Sequence, residues 1–144
     1  MSPNPPVRLA IAGALGRMGQ AVAKTAQGRE DIAVAARFDR PGLDGEGLVS
    51  LADALAAAQV VIDFTTPDAS VALAQAAAAK GAVALVIGST GFSGDHEAAI
   101  RAASAKVAIV KVKRDRRWDV AKSVALVLLT SLLTLLVGCL LRAF

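Results

Sequence analysis

The fold of this 144-residue chain is predicted from residues 11–19, Ile11-Ala12-Gly13-Ala14-Leu15-Gly16-Arg17-Met18-Gly19. An apolar run, residues 9–12, leads into the first glycine, and a helical pattern follows the last one. Gly13 permits a tight turn out of the strand, Gly16 keeps the backbone accessible, and Gly19 lets the helix pack closely on the sheet. The Gly-x-x-Gly-x-x-Gly spacing therefore predicts a strand, a turn and a helix at the start of the fold.

This spacing is a close variant of the fingerprint that binds the pyrophosphate of a dinucleotide. A loop with few side chains lets backbone N–H groups approach phosphates, and the start of the following helix adds unpaired N–H donors and a partial positive charge. Arg17 either contacts a phosphate or lies on the helix surface. The motif therefore predicts a dinucleotide site, and the alternative is a plain strand-to-helix turn.

Short apolar runs and alanine-rich helical stretches alternate over residues 7–110. Runs that are apolar on both faces are typical of buried parallel strands, because crossover helices cover both sides of such a sheet. The sequence therefore predicts an α/β fold, a Rossmann-type open parallel sheet. The predicted strands lie in residues 9–12, 32–35, 60–62, 82–87 and 107–110, and the predicted helices near residues 17–28, 51–58, 68–80 and 95–105. The predicted N-caps of the last three helices are Ser50, Thr66 and Ser93.

Two charged residues follow the second predicted strand, where dinucleotide folds place the acid that receives the adenosine ribose. Asp39 lies twenty residues after Gly19, and Arg40 follows it directly. A carboxylate accepts hydrogen bonds from the ribose hydroxyls and favours NADH, whereas a guanidinium binds the 2′-phosphate of NADPH. We therefore expect NADPH or NADH as the cofactor; the alternative is a pair of solvated loop charges.

The next two predicted strands end in segments rich in hydroxyl groups and glycine, Asp63-Phe64-Thr65-Thr66-Pro67 and Gly88-Ser89-Thr90-Gly91-Phe92. Ligands of open α/β sheets collect at the carboxyl ends of the strands. Both segments are therefore expected to border the nicotinamide half of the cofactor, although the second also has the composition of a simple turn.

Four segments together resemble one family, the 4-hydroxy-tetrahydrodipicolinate reductases of bacterial lysine and diaminopimelate biosynthesis. The resemblance covers roughly residues 7–110 and implies an NAD(P)H-dependent oxidoreductase. Ser89 stands where the family usually has threonine. The matching segments are Ile11–Gly19, Asp39–Gly42, Val61–Pro67 and Val86–Phe92.

The resemblance implies a role for each part of the site, and it assigns neither a catalytic residue nor a metal ligand within this chain. It implies that the cofactor's phosphates are held by Gly13, Ala14, Leu15, Gly16, Arg17 and Met18. It also implies that the adenosine ribose meets Asp39 and Arg40, and that the nicotinamide end contacts Gly88, Ser89 and Thr90.

Members of this family carry a second domain, which binds the substrate, forms the tetramer and contains a His-His…Lys signature. The present sequence has one histidine, and nothing after Val110 fits that domain. We therefore expect a cofactor-binding half without the tetramer interface, which binds NAD(P)H and reduces substrate negligibly. The rival hypothesis is a non-catalytic nucleotide-binding module, tethered to a membrane or free, that senses the cofactor or binds a partner.

The sequence changes character after residue 110, so residues 1–110 are predicted as the dinucleotide-binding domain and residues 111–122 as a basic linker. Residues 123–141 contain no charged side chain, and residues 123–144 are predicted as an apolar C-terminal helix. Nineteen helical residues extend about 28 Å, close to the ~30 Å hydrocarbon core of a bilayer. Three interpretations stay open: an inner-membrane anchor with the domain in the cytoplasm, a frameshifted or truncated gene product, and a helix packed on the domain.

Charge and composition exclude other classes of protein. Residues 1–106 carry nine Lys or Arg against ten Asp or Glu, so the domain has no basic surface for nucleic acid. One cysteine and one histidine exclude a disulfide framework and a metal centre built from either residue.

His96 is predicted to be an exposed first-turn residue, and Cys139 a buried small hydrophobe. The first residues do not resemble a secretory signal, so we expect a cytoplasmic domain.

Overall fold

A computed structural model describes residues 5–40 and 47–112 of the chain. Strands and helices alternate along these residues, and each overlaps the segment predicted for it. The strands are β1 (Val7–Ala12), β2 (Ile32–Phe38), β3 (Val60–Asp63), β4 (Ala84–Ile87) and β5 (Ile109–Lys111). The helices are α1 (Arg17–Gln27), α2 (Leu51–Ala57), α3 (Pro67–Lys80) and α4 (Gly94–Ala103).

The five strands pair in parallel in the order β2-β1-β3-β4-β5. The chain first adds β2 on one side of β1 and then returns to add β3 on the other side. Such a reversal opens a crevice at the carboxyl ends of the two strands that flank it, here β1 and β3. The predicted Rossmann-type open parallel sheet is confirmed, and a ligand is expected at this edge.

The core uses both faces of the central strands. Every side chain of β3 and β4 is buried, which explains why these runs lack the apolar–polar alternation of a half-exposed strand. The strands share one apolar cluster with α2, α3 and α4, while α1 packs against β1 and β2. Alanine is the residue type that recurs in the cluster, and its small side chain lets the helices approach the sheet closely. The alanines that α2, α3 and α4 contribute are Ala54, Ala74, Ala77 and Ala103.

Three of the four described helices begin with a side-chain cap. The hydroxyls of Ser50, Thr66 and Ser93 each accept a hydrogen bond from the backbone N–H three residues later, as predicted. Each of these first turns also contains an acidic residue. Helix α1 differs, because its N-cap is Gly16, which has no side chain, and its first turn has no acid. The first N–H groups of α1 are therefore left for another acceptor.

None of the four described helices combines the length and the apolar character needed to cross a bilayer. The predicted apolar helix at residues 123–144, including Cys139, lies outside the described residues, and so does the predicted linker beyond residue 112. Strand β5 ends at Lys111, one residue past the predicted domain boundary.

Candidate functional site

The loop between β1 and α1 turns tightly at Gly13. This residue has φ = +73°, in the left-handed region that favours glycine. The Gly16 N–H donates a hydrogen bond to the Gly13 carbonyl oxygen over 3.0 Å, which closes the turn and leads directly into Arg17, the first residue of α1. The loop thus places the start of α1 at the carboxyl end of β1.

The predicted phosphate-binding residues of this loop differ in exposure. Ala14 is buried, and its N–H donates to the Phe38 carbonyl oxygen at the end of β2 over 3.2 Å. Leu15 is 44% exposed although it is apolar. The residues that a ligand can reach are therefore Leu15, Gly16 and Arg17, with Met18 half-buried behind them.

The start of α1 has the donor set that a phosphate group needs. Its first N–H groups have no side-chain cap, its first turn has no carboxylate, and Arg17 adds a positive charge. The helix dipole places further partial positive charge at the same point. The residues present therefore fit a pyrophosphate group.

Close packing behind the loop depends on Gly19. A Cβ atom at this position would lie 2.7 Å from the Ala14 Cα atom and 2.9 Å from the Gly13 carbonyl carbon. No rearrangement of a flexible side chain can relieve such a contact, because both atoms belong to the backbone. Gly19 therefore lets α1 lie directly against the β1–α1 loop, whereas the motif predicts close packing on the sheet.

Asp39 fastens the loop to the end of β2. One carboxylate oxygen, Oδ2, accepts a hydrogen bond from the Leu15 N–H over 2.9 Å, and the other, Oδ1, accepts one from the Arg40 N–H over 2.9 Å. Asp39 is half-buried and Arg40 is exposed. The structure thus brings the predicted ribose-binding pair next to the predicted phosphate loop.

Phe64, directly after β3, lies between two of the predicted cofactor-binding glycines. A Cβ atom at Gly13 would approach the Phe64 carbonyl oxygen to 3.0 Å. A Cβ atom at Gly88 would lie 2.7 Å from Cζ of the Phe64 ring. Phe64 therefore joins the β1–α1 loop to the turn after β4, and the absence of a side chain at residue 88 leaves room for its ring.

A buried polar cluster lies beneath the same turn. The Asp63 carboxylate accepts hydrogen bonds from the backbone N–H and the hydroxyl of Thr65 over 2.9 and 2.5 Å, and from the hydroxyl of Ser70 in α3. The Ser89 hydroxyl lies 3.0 Å from the Ser70 hydroxyl and 3.5 Å from Asp63 Oδ2. Asp63 and Ser70 have no exposed surface, and Ser89 is 8% exposed.

Sequence reasoning did not identify Ser70. A usable signal was present, since Ser70 shares the buried side of α3 with Leu73, Ala74 and Ala77 at helical spacing. A polar residue in such an apolar stripe requires a buried hydrogen-bond partner.

Thr90 lies at the outer end of the turn after β4. It is exposed and lines a cleft of about 440 Å³ together with Phe92, Glu97 and Lys111. The Lys111 ammonium group forms an ion pair with Glu97 and lies 4.0 Å from the centre of the Phe92 ring. Ser89 also lines this cleft, but its hydroxyl is directed toward Ser70 and Asp63, whereas Thr90 is exposed.

His96 lies in the first turn of α4, as predicted, but its side chain is only about a quarter exposed, which corrects the predicted exposure. Its Nδ1 atom accepts from the Ser93 N–H over 3.1 Å, and its Nε2 atom lies 2.9 Å from Asp68 Oδ1. Ser, His and Asp are also the residues of a hydrolytic triad. Here, however, the Ser93 N–H already occupies the Nδ1 lone pair that would have to take the Ser93 hydroxyl proton. The arrangement is a capping box that starts α4 and ties it to α3.

Comparison with known proteins gives a consistent result. A profile of the family described as "Dihydrodipicolinate reductase, N-terminus" matches residues 7–113. The 4-hydroxy-tetrahydrodipicolinate reductase of Caulobacter vibrioides is 63% identical over 106 residues, which cover 74% of this chain and 41% of that protein. The protein of the same name from Anaeromyxobacter sp. (strain Fw109-5) is 38% identical over 118 residues, covering 72% of this chain and 44% of that protein.

Solved structures agree with the fold. Dipicolinate-bound dihydrodipicolinate reductase from Paenisporosarcina sp. TG-14 gives a TM-score of 0.57 at 22% identity, covering 69% of this chain and 43% of that one. Homoserine dehydrogenase from S. aureus gives a TM-score of 0.59 at 14% identity, covering 74% of this chain and 32% of that one. At these identities the likeness concerns the fold alone.

The chain spans 41% to 44% of the length of the two curated relatives described above. The family resemblance noted in the sequence is therefore confirmed over the part of the chain that carries the parallel sheet. This chain belongs to the dihydrodipicolinate reductase family, and its residues 7–113 correspond to the N-terminal domain of that family.

Proposed function

We propose that residues 1–110 form a dinucleotide-binding domain that holds NADH or NADPH with its pyrophosphate at the start of α1. The observation that carries this proposal is the uncapped first turn of α1. That turn offers backbone N–H donors and Arg17, whereas the first turns of α2, α3 and α4 are capped and acidic. Within the predicted set Gly13 to Met18, the phosphate contacts are assigned to the exposed residues Leu15, Gly16 and Arg17.

The adenosine ribose is assigned to Asp39 and Arg40. Each Asp39 carboxylate oxygen accepts one backbone N–H and keeps a lone pair for a ribose hydroxyl. We assign the exposed Arg40 guanidinium to a 2′-phosphate, and on this assignment the domain is proposed to accept both cofactors. Because Asp39 also holds the Leu15 N–H, one residue sets the position of both the ribose site and the phosphate loop.

The nicotinamide end is assigned to the turn after β4. Gly88 and Thr90 are the residues proposed to contact it, and Ser89 lies between them with its hydroxyl directed inward. A bound nicotinamide supplies a hydride, and the described residues bind and orient it. We assign no proton donor among the described residues, so cofactor binding rather than turnover is the activity proposed for this part of the chain.

The relatives are named 4-hydroxy-tetrahydrodipicolinate reductase. For the protein to which this domain corresponds we propose the same reduction, in lysine and diaminopimelate biosynthesis. The substrate-binding and proton-donating residues of that reaction are proposed to come from a catalytic domain outside the described residues.

Isothermal titration calorimetry of the purified chain tests the binding proposal. NADH, NADPH and ADP-ribose are expected to bind at one site, because all three carry the pyrophosphate and the adenosine ribose. Nicotinamide mononucleotide lacks both features and is expected to bind about tenfold more weakly or worse, a difference of about 1.4 kcal/mol. Equal affinity for the mononucleotide and for NADH, or no binding of NADH and ADP-ribose, would overturn the proposal.

A second candidate is a membrane-tethered nucleotide-binding module without catalytic activity. The observation that favours it is the charge-free sequence of residues 123–141, which follows a basic segment. Carbonate extraction of membranes from cells that express the chain tests this candidate, since a tethered protein stays in the pellet. Translation of the other two reading frames downstream of codon 110 tests the frameshift interpretation separately, because a frameshift predicts a His-His…Lys segment in one of them.

A further inference from the structure

We propose that the buried cluster of Asp63, Ser70 and Ser89 is a positioning device that sets the turn of residues 88–90 against the nicotinamide end of the cofactor. This inference rests on the proposed binding of NAD(P)H. It goes further by assigning a positioning role to Asp63 and Ser70, which do not touch the ligand. It also changes the role of Ser89, from contacting the nicotinamide to supporting the turn of residues 88–90.

The three residues come from three elements that meet at one edge of the sheet. Asp63 is the last residue of β3 and pairs with Ala12 of β1 on one side and with Ile87 of β4 on the other. Ser70 belongs to the first turns of α3, and Ser89 follows β4. A shift of the turn after β4 relative to β3 or α3 would therefore break hydrogen bonds inside the cluster.

The hydrogen-bond count fixes the direction of the Ser89 hydroxyl. Ser70 has one hydroxyl proton, and its short contact with Asp63 Oδ2 uses it. Ser89, 3.0 Å away, must then donate to the Ser70 oxygen or to the carboxylate. The Ser89 hydroxyl proton is therefore used in a hydrogen bond inside the cluster, so it cannot be donated to a cofactor at the same time.

Asp63 is an unusual choice for a purely structural core position. It is fully buried, and none of the ion pairs among the described residues includes it. Its carboxylate is stabilised there by the hydroxyl and N–H donors around it. Hydrogen bonds to a charged group are strong and directional, and leaving one unmade in the core is costly. Such a group holds its partners in one geometry, which an apolar side chain of similar size would not do.

The main chain adds a further link at the same place. The Gly88 N–H donates to the Asp63 carbonyl oxygen over 2.8 Å, so residue 63 holds the turn through its backbone as well as its side chain. Among the hydrogen bonds of the described residues, none joins Asp39 or the β1–α1 loop, the adenosine half of the proposed site, to the side chains of this cluster. The cluster is therefore expected to act on one half of the ligand.

The test compares two ligands that differ in the nicotinamide. Ser70→Ala removes one hydroxyl, and we expect it to weaken NADH binding about tenfold while ADP-ribose affinity changes less than about twofold. Quantum yield and emission maximum of bound NADH should also change, because the reduced ring reports its own surroundings. The matched control is Ser104→Ala, whose hydroxyl donates only to the Arg101 carbonyl oxygen on the exposed surface, and which should change neither affinity.

Variants at Ser89 keep the test decisive if Ser70→Ala does not fold. Ser89→Ala should reproduce the selective loss of NADH affinity, and Ser89→Thr, which keeps the hydroxyl, should restore it. A lowered melting temperature with unchanged NADH affinity and emission would show a structural role alone and overturn the inference. Equal losses for NADH and ADP-ribose would overturn it as well. If the unmodified chain binds neither ligand, the proposed function itself fails.

Discussion

The aromatic ring of Phe64 lies in the space that a side chain at residue 88 would need. A Cβ atom added to Gly88 would meet three atoms of that ring, with Cδ1 at 2.8 Å. The backbone of Phe64 meanwhile lies against Gly13, where φ is positive. One residue after β3 therefore keeps the β1–α1 loop and the turn after β4 in fixed relation. The proposed function assigns the pyrophosphate to the first segment and the nicotinamide to the second.

Gly88→Ala is expected to lower the free energy of unfolding by about 1–3 kcal/mol, because the added methyl group displaces the Phe64 ring. Chemical denaturation followed by circular dichroism measures the change. Gly94→Ala is the matched control: it lies in α4 with nothing within 4 Å of its Cβ position, and alanine is the better helix former. Equal stability losses in the two variants would contradict the steric role of residue 88.

Gly16→Asp is expected to keep the fold and abolish cofactor binding. Residue 16 has an extended backbone, φ −71° and ψ 162°, which aspartate adopts readily as an N-cap. The new carboxylate would take the free N–H donors of α1 and repel the pyrophosphate. We expect an unchanged or higher melting temperature together with a loss of NADH affinity of at least about a hundredfold, roughly 2.7 kcal/mol. Retained NADH binding in calorimetry would place the phosphates elsewhere.

Arg40→Ala is expected to weaken NADPH binding by roughly 1–3 kcal/mol and to change NADH binding little, because the guanidinium is assigned to the 2′-phosphate. Fluorescence titration of both cofactors measures the difference. Arg101→Ala, an exposed arginine of α4, is the control for a general charge effect. The assignment is refuted by equal losses for the two cofactors.

His96→Ala is expected to destabilise the domain by about 1 kcal/mol without changing NADH affinity, because the imidazole completes the cap of α4 and bonds Asp68. Ser93→Ala removes the other half of the same cap and should give a similar stability loss. Thermal unfolding and calorimetry measure the two quantities. A His96→Ala variant with normal stability but weakened cofactor binding would assign His96 to the site instead.

Acid sensitivity is expected from the bend between α1 and β2. The hydrogen bonds from Arg29, Nε to Oδ1 at 2.8 Å and a guanidinium N–H to Oδ2 at 2.5 Å, hold the pKa of the Asp31 carboxyl below its usual range. A lowered folded-state pKa stabilises the fold above the unfolded value of about 3.9, and that contribution is lost as the pH falls through the folded value. Because Asp31 is half exposed, we expect Asp31→Asn to cost at most about 1 kcal/mol at pH 7.

Denaturation midpoints of the wild type and of Asp31→Asn at pH 7, 5 and 3 check this prediction. The difference between the two proteins should be the same at pH 7 and pH 5 and should shrink at pH 3. A difference that grows toward low pH would contradict it.

The sequence predicted those features that depend on residues close together in the chain. The caps at Ser50 and Thr66 and the two-sided apolar runs of β3 and β4 are local patterns, and the structure confirms them. The order of the strands could not be predicted in this way, because it depends on which runs pair across the sheet.

The features that sequence patterns missed are contacts between residues far apart in the chain, one at the cap of α4 and one in the candidate site. His96 meets Asp68 across 28 residues, and Ser70 meets Ser89 across 19. The family resemblance implies that Ser89 contacts the nicotinamide end, and the structure adds that its hydroxyl is directed toward Ser70 and Asp63. The missing side chain leaves room for loop backbone atoms at Gly19 and for the Phe64 ring at Gly88, and neither contact follows from local spacing.

The glycine at the N-cap of α1, Gly16, also has a thermodynamic consequence. The first turns of α2, α3 and α4 have side-chain caps, whereas that of α1 has none, and we expect an anion from solution to complete it. Ligand occupancy and resistance to unfolding are therefore linked, and a ligand at a hundred times its dissociation constant adds about 2.7 kcal/mol. The melting temperature of this domain should accordingly follow the concentration of reduced nucleotide around it, and so should its lifetime in the presence of a protease.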